Sequence, residues 1–331
     1  MSVGVAVVLV VVAAGFARPH AAAAVAQFYE QPIATIAYGT RPEQMAVAEC
    51  GDCGDESCSG FAFLDERDDI YVYDVPANAL KVLRFKNGKA LSIQVVRGPV
   101  LEAQNEHPYD GCVSPDGTVY LLADRATLRG RYLVFARGAR DSAWSRAEPL
   151  DDETLGWAAL NGHRQQVVQA ARIDVEPDGT VAVYDLDRRS SGAVVVARGD
   201  RFVPTSARVR LPAGLRGRSG LIARARARGL ATELHVGEDP VATARVAIPG
   251  AFLGMDDAGN TYQATYGTGN VYEFQRYDRA GTLTASSPVP RRRITKLVLG
   301  KGHLLMGRLG DVFQFRFTDA GLVITRWTAP E

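Results

Sequence analysis

The chain has 331 residues, of which 47% are hydrophobic, and its formal net charge at pH 7 is +1. This length is enough to bury one large core or two smaller ones. A net charge so close to zero gives no overall field that would attract nucleic acid or an anionic membrane surface, so neither is predicted as a partner.

The first residues carry the pattern of an export signal. An apolar run extends from Val3 to Phe16, and the small residues Ala24 and Ala26 have the spacing that fits signal peptidase cleavage before Gln27. Residues 1–26 are therefore predicted to be a signal peptide.

The predicted mature chain, residues 27–331, forms a single domain that is periplasmic or secreted and monomeric. Because no Lys or Arg precedes the apolar run, an uncleaved N-terminal anchor is the alternative. After Gln27 no apolar run reaches the roughly 18 residues that a membrane-spanning helix requires.

Four cysteines follow: Cys50, Cys53, Cys58 and Cys112. An even number of cysteines in an exported chain is typical of disulfides, which persist in oxidising compartments. Two disulfides are predicted. Three pairings are open, of which Cys58–Cys112 with Cys50–Cys53 fits the expected positions of two neighbouring strands. The CxxC spacing also fits a zinc site built from thiolates, which stays as the alternative.

The segment from Gly60 to Phe85 predicts three short strands separated by polar turns, over Phe61–Leu64, Ile70–Tyr73 and Leu80–Phe85. Its pattern recurs. Turns rich in Asp, Pro and Gly return between alternating apolar segments at residues 114–120, 176–182 and 256–262. Asp-Gly between β-branched flanks favours a hairpin, because the turn needs a residue with positive φ.

Six such units are predicted in all, including one without the Asp-Gly turn at residues 221–248 and a last one at Ile294–Trp327. Their lengths approach the roughly 40–50 residues of propeller blades. The fold class is therefore predicted to be all-β, a six-bladed β-propeller of four-stranded antiparallel blades. The strand Ile33–Tyr38 is predicted to pair into the last unit and close the ring. Thr154–Ala171 is predicted to be a long loop between blades.

The first unit resembles the NHL-type six-bladed propeller repeat. In that repeat an apolar strand and an Asp-x-x-Gly turn lead to a Tyr-Val-x-Asp strand, and then to Asn and an aliphatic-Arg-aliphatic strand. The corresponding residues are Gly60–Asp65, Ile70–Asp74, Asn78 and Val82–Phe85, with Asp69 in place of the turn glycine. The resemblance implies the fold over most of the mature chain and no particular activity.

The turn of the first unit is acidic, with Asp65, Glu66, Asp68 and Asp69. Calcium binds six to eight oxygen ligands, so these carboxylates are candidate ligands. Their spacing does not follow an EF-hand loop, and a solvated hairpin turn explains the same residues. No cofactor is predicted for the chain, with calcium or zinc as the alternative.

Three residues are candidates for acid–base chemistry. His107 and Asp110 lie just before a predicted inner strand, and His163 precedes the next one. In a propeller such loops ring the mouth of the central channel, where a histidine and a carboxylate can transfer protons. Loop polar groups satisfied by backbone or water are the other explanation.

The sequence contains no G-x-S-x-G nucleophile motif and no phosphate-binding loop. Regular blades without a recognisable catalytic set favour an exported, non-catalytic binding or scaffold module, with an envelope protein or a small ligand as its partner. The alternative is a metal-dependent propeller hydrolase or lyase that acts at the mouth of the central channel.

Overall fold

The computed structural model is all-β over the residues that it describes. These are residues 25–46, 60–86, 89–101, 106–125, 131–146, 171–175, 179–185, 194–198, 201–205, 223–228, 231–236, 243–247, 250–256, 258–266, 271–278, 280–290, 304–307 and 309–330. Across these ranges the chain forms 23 strands and no helix. Accordingly, no helix in them is long and apolar enough to cross a membrane.

The described strands form six antiparallel sheets, numbered here in chain order. Sheet I comprises β2 (Gly60–Leu64), β3 (Ile70–Asp74), β4 (Ala79–Lys86) and β5 (Lys89–Arg97). Sheet II comprises β6 (Glu106–Val113), β7 (Val119–Arg125), β8 (Arg131–Arg137) and β9 (Ser145–Arg146). Sheet III comprises β10 (Ala171–Val175), β11 (Val181–Asp185), β12 (Val194–Arg198) and β13 (Arg201–Thr205). In each sheet the first strand in sequence is called the inner strand, except in sheet VI, where the inner strand is Leu304–Met306.

Sheets IV to VI complete the described strands. Sheet IV comprises β14 (Ala223–Arg228), β15 (Ala231–Val236) and β16 (Thr243–Ala247). Sheet V comprises β17 (Gly250–Met255), β18 (Thr261–Tyr266), β19 (Val271–Tyr277) and β20 (Leu283–Pro290). Sheet VI comprises β21 (Leu304–Met306), β22 (Val312–Thr318) and β23 (Gly321–Thr328), and β1 (Tyr29–Ile36) pairs with β23 at the outer edge.

The all-β prediction is confirmed, and so are the antiparallel four-stranded sheets. The unit without an Asp-Gly turn differs, because sheet IV has three strands among the described residues. The strand at the front runs from Tyr29 to Ile36 and pairs antiparallel with β23. The predicted strand Ile294–Leu299 and most of the predicted loop Thr154–Ala171 lie outside the described residues.

Sheet I is apolar on both faces because it is packed between two neighbours. In β3, Ile70 and Val72 join a core with sheet VI, which includes Phe315. The alternate residue Tyr73 joins a second core with sheet II, which includes Leu121. Since successive side chains of a strand point to opposite faces, an unbroken apolar run is what a sandwiched sheet requires.

The same packing continues along the chain. Sheets V and VI share a core that contains Tyr262, Phe274, Val312 and Trp327. The described sheets V, VI, I and II are thus packed face to face in that order, so that the last sheet lies against the first. Antiparallel sheets stacked in this way are the arrangement of a β-propeller.

Neighbouring sheets also meet at the hairpins that end their inner strands. A Cβ on Gly307 of sheet VI would approach the Asp68 carboxylate of sheet I to 2.9 Å, and one on Gly179 of sheet III would lie 3.4 Å from Pro115 of sheet II. The hairpins of adjacent sheets therefore share one end of the molecule. The inner strands begin at the opposite end, which is called the entry end below.

Gly321 fixes the contact between β23 and β1. Its φ is +127°, and a Cβ there would lie 2.1 Å from the carbonyl oxygen of Ile36. We expect Gly321→Ala to lower the free energy of unfolding by about 2 kcal/mol, through backbone strain and displacement of β1. Gly117→Ala is the matched control: its φ is +83° but its nearest contact is a side-chain carbon at 3.2 Å. Urea denaturation of both variants checks this, and equal losses would contradict the role assigned to Gly321.

Candidate functional site

The inner strands β2, β6 and β10 are edge strands of sheets I, II and III, and β6 contacts both β2 and β10. The ring of Phe63 on β2 approaches Gly111 on β6 so closely that a Cβ at Gly111 would lie 2.6 Å from it. On the other side, the backbone N–H of Ile173 on β10 donates to Asp110 of β6. Strand β6 is thus held between two neighbours, and its first residues stand at the entry end.

Glu106, the first residue of β6, is a fully buried carboxylate. Arg146 of the outermost strand β9 donates to it with both terminal nitrogens, at 2.9 and 3.4 Å. The arginine side chain is 23% exposed, and its guanidinium carbon lies 5.9 Å from the centre of the Phe135 ring. Bidentate pairing is the arrangement in which a carboxylate is best compensated when it leaves water.

His107 follows Glu106 on β6 and is the cross-strand partner of Asp124. The sequence placed it just before an inner strand, whereas the structure places it within that strand, at its second position. His163, the other candidate histidine, lies outside the described residues.

Asp110 is fully buried, and its carboxylate links two sheets. Its Oδ1 accepts the N–H of Gly111 at 2.9 Å, and its Oδ2 accepts the N–H of Ile173 at 3.0 Å. A register shift in the pairing of β6 with β7 lies between Pro108 and Asp110. Because both carboxylate oxygens bond backbone amides, this residue positions the inner strands β6 and β10 relative to each other.

The Asp110 link is testable by stability. We expect Asp110→Ala to lower the free energy of unfolding by about 2 kcal/mol, because two buried N–H groups lose a charged acceptor. Asp110→Asn keeps one acceptor oxygen and should lose less. Urea denaturation distinguishes them, and an Ala variant as stable as the native protein would show that the link is not structural.

Sequence reasoning missed a buried ion pair near the same end. Lys81 Nζ lies 2.6 Å from Asp74 Oδ2, and both side chains are 0% exposed. The signal in the sequence was a lysine inside an apolar strand, since a buried strand tolerates a charge only with a partner. Asp74 is also the cross-strand partner of Gly60, the first residue of the inner strand β2.

Asp74 also holds the segment that precedes β2. Its Oδ2 accepts the backbone N–H of Ala46 at 2.9 Å. Asp74 therefore contacts the chain at Ala46, through this hydrogen bond, and at Gly60, through strand pairing. The intervening residues 47–59, with Cys50, Cys53 and Cys58, lie outside the described residues. Cys112 is buried on β6, and the disulfide pairing stays a prediction.

The acidic turn of sheet I is organised by its own backbone. Oδ1 of Asp65 accepts the N–H groups of Arg67 and Asp69 at 2.8 and 2.9 Å. Oδ1 of Asp69 accepts the N–H of Phe85 at 3.3 Å. These hydrogen bonds are those of an Asx-type turn. Within the described ranges, no group of three or more His, Cys, Asp or Glu side chains is placed to hold a metal ion.

A tyrosine beside this turn and its equivalent in sheet V have raised pKa values. Burial, reinforced by the charges of Asp65 and Asp69, raises the pKa of Tyr71 to about 12. Burial also raises the pKa of Tyr262, whose hydroxyl donates to Asp256 Oδ2 at 2.9 Å. Each tyrosine therefore stays neutral in the folded protein at a pH where the unfolded chain loses the proton.

These shifts predict a loss of stability in alkali. An unfolded tyrosine releases its proton near pH ~10, so the stabilisation is complete below that pH. It is lost as pH rises through 10 towards 12. We expect the urea midpoint to fall over this range in the native protein and to fall less in Tyr71→Phe. Tyr29→Phe, at a residue 70% exposed, is the control. Identical profiles for Tyr71→Phe and the native protein would contradict the assignment.

No protein-family model matches the chain, and no curated protein matches it. Solved structures do match. A gluconolactonase from Xanthomonas campestris is 14% identical with a TM-score of 0.32, over 81% of this chain and 71% of the other. The PQQ-bound aldose sugar dehydrogenase of Streptomyces coelicolor is 13% identical with a TM-score of 0.47, over 92% and 99%. Virginiamycin B lyase from Staphylococcus aureus is 10% identical with a TM-score of 0.45, over 91% and 99%.

All three TM-scores are below 0.5, so the β-propeller fold rests on the sheet topology of this chain. All three proteins are named as enzymes, and this finding contradicts the prediction of a non-catalytic binding or scaffold module, which is corrected here. At these identities and TM-scores the likeness transfers no particular activity to this chain.

Proposed function

We propose that the chain is an exported six-bladed β-propeller of the NHL-like type, and that it works as a hydrolase or lyase at the entry end of its inner strands. The observation that carries the catalytic proposal is the position of His107. It stands on the inner strand β6 between two fully buried carboxylates, Glu106 and Asp110.

The packing order supports the ring. Sheets V, VI, I and II share cores in sequence, and Asp110 joins sheet II to sheet III. Strand β1 completes sheet VI from the other end of the chain, which is how a propeller avoids an open seam. Sheet IV would fill the remaining position between sheets III and V.

The concentration of buried charge supports a site at the entry end. Burying Glu106 and Asp110 is costly, and each is compensated by a partner that the fold supplies: Arg146 for one, backbone amides for the other. Such arrangements occur preferentially where chemistry is done, although ion pairs also serve structure. Here they fix the start of β6, the strand that carries His107.

In the proposed mechanism His107 transfers protons. In hydrolysis it takes a proton from water as the water attacks a carbonyl carbon, and returns it to the leaving oxygen. In elimination it takes the proton from the carbon next to the carbonyl group, the C–H electrons form a C=C bond as the C–O bond to the leaving group breaks, and His107 returns the proton to the leaving oxygen. Glu106 and Asp110 act as positioning residues, because their carboxylates bond Arg146 and the backbone. The proposed substrates are small lactones, esters or glycans.

The experiment is a turnover screen of the purified native protein. A panel of lactones, aryl esters and oligosaccharides is assayed with increasing substrate, with and without EDTA and with added calcium or zinc. We expect saturable turnover of at least one member. The chelator arm decides whether the hydrolase or lyase is metal-dependent. The absence of turnover above blank in every arm would refute the proposed activity.

A further inference from the structure

The residues just before β1 are part of the fold. The N–H of Ala26 donates to the carbonyl oxygen of Thr284 at 3.3 Å, and the carbonyl oxygen of Ala26 accepts the N–H of Ser286 at 2.8 Å. These two bonds make a parallel bridge between Ala26 and Ala285 on β20. The chain is therefore paired to sheet V before it enters sheet VI as β1.

Phe28 anchors the same crossing. Its side chain is 6% exposed, and its N–H donates to Ser287 Oγ at 2.7 Å. Its ring meets those of Tyr262 and Phe274 edge-on, with centroids 6.3 Å apart in each case. Ala26 and Phe28 thus join the core that sheets V and VI share, and the hydrogen bonds of Ala26 align Phe28 with it.

Cleavage before Gln27, the position that the sequence pattern favours, would remove Ala26 and both of its hydrogen bonds. It would also place a charged amino group one residue from the buried Phe28. The carbonyl oxygen of Thr284 and the N–H of Ser286, both on the edge strand β20, would then lose their hydrogen-bond partner.

The sequence offers a second site two residues earlier. Ala22 and Ala24 have the same small-x-small spacing as Ala24 and Ala26. A cut after Ala24 leaves Val25 as the first residue, and Val25 is 44% exposed. This cut keeps every contact of residues 26–28.

We propose that signal peptidase cleaves between Ala24 and Val25, so that the mature protein begins at Val25. The step is hydrolysis of one peptide bond: water supplies the hydroxyl that completes the Ala24 carboxylate and the proton that completes the Val25 amine. This proposal rests on export of the chain and is independent of the proposed catalytic activity.

The test is the N-terminus of the exported protein. The full chain is expressed in a bacterial host with its own leader, and the exported product is analysed by intact mass and N-terminal sequencing. We expect a start at Val25. A start at Gln27, or a chain that retains its leader, overturns the proposal.

Two leader variants sharpen this test. Ala22→Arg changes the small residue that a cut before Val25 requires, and should abolish the product that starts there. Ala23→Arg adds the same charge at the intervening position, which tolerates any residue, and should leave the product unchanged. An Ala22→Arg chain that still yields the native N-terminus overturns the proposal.

A stability measurement separates the structural argument from leader recognition. Proteins that start exactly at Val25 and at Gln27 are released from a cleavable fusion and melted side by side. Two net backbone hydrogen bonds correspond to a Tm lower by roughly 4 °C for the Gln27 start. Equal Tm values would remove the reason for the earlier cut.

Discussion

Replacing Lys81 with Met is expected to lower the free energy of unfolding by about 3–5 kcal/mol. Lys81 and Asp74 are both 0% exposed, and their charged atoms lie 2.6 Å apart. Methionine fills similar space but leaves the Asp74 carboxylate buried without its cation. The N–H groups of Ala46 and Ala77 still donate to it, and two amides do not replace a full charge. Urea denaturation at neutral pH measures the loss.

The double variant Asp74→Asn/Lys81→Met is the matched control. It removes the buried charge together with its partner, and a neutral side chain can still accept from Ala46. We therefore expect the double variant to be more stable than Lys81→Met alone, with a coupling energy of about 2–3 kcal/mol. With Asp74→Asn as the second single variant of the cycle, additive losses would show that the two side chains do not act as a pair.

The largest expected effect on activity is that of His107→Ala. Removing a general acid–base group typically costs about 10²–10⁴-fold in rate, and we expect a loss of this size in kcat/KM on any substrate that the native protein turns over. His235→Ala is the control, because that histidine lies on β15 of sheet IV, a different sheet from that of β6. Melting temperatures of both variants establish that they are folded.

Two results would contradict the role of His107. The first is unchanged kcat/KM in a folded His107→Ala protein. The second is an equal loss in His235→Ala, which would indicate a general effect of removing a histidine. Rescue of the His107→Ala protein by added imidazole would support proton transfer in particular, because a purely structural histidine is not replaced by a free base.

The strands were predictable because their signals are local. Alternating apolar residues between polar turns placed β2, β3 and β4 within about one residue of their observed bounds. Gly117, Gly179 and Gly259 have the positive φ that those turns require. Sheet IV lacks the turn signal, and its three strands among the described residues all lie within the segment predicted at residues 221–248.

The candidate site was only partly predictable because its contacts are not local. Asp110 was singled out as an acid–base candidate, but its bond to Ile173 joins two sheets and reflects a neighbour that no local pattern identifies. Arg146 reaches Glu106 from 40 residues away. Pairings of this kind depend on how strands are arranged across a blade and between blades, and one sequence contains no record of that arrangement.

The most direct test of the central claim is to locate the reactive residue in the native protein. A haloketone analogue of the best substrate in the panel is reacted with the protein, and the labelled residue is identified by peptide mass spectrometry. We predict that the label is on His107, that activity falls in proportion to labelling, and that the substrate protects against both. Inactivation with the label on a residue outside the entry end would contradict the site.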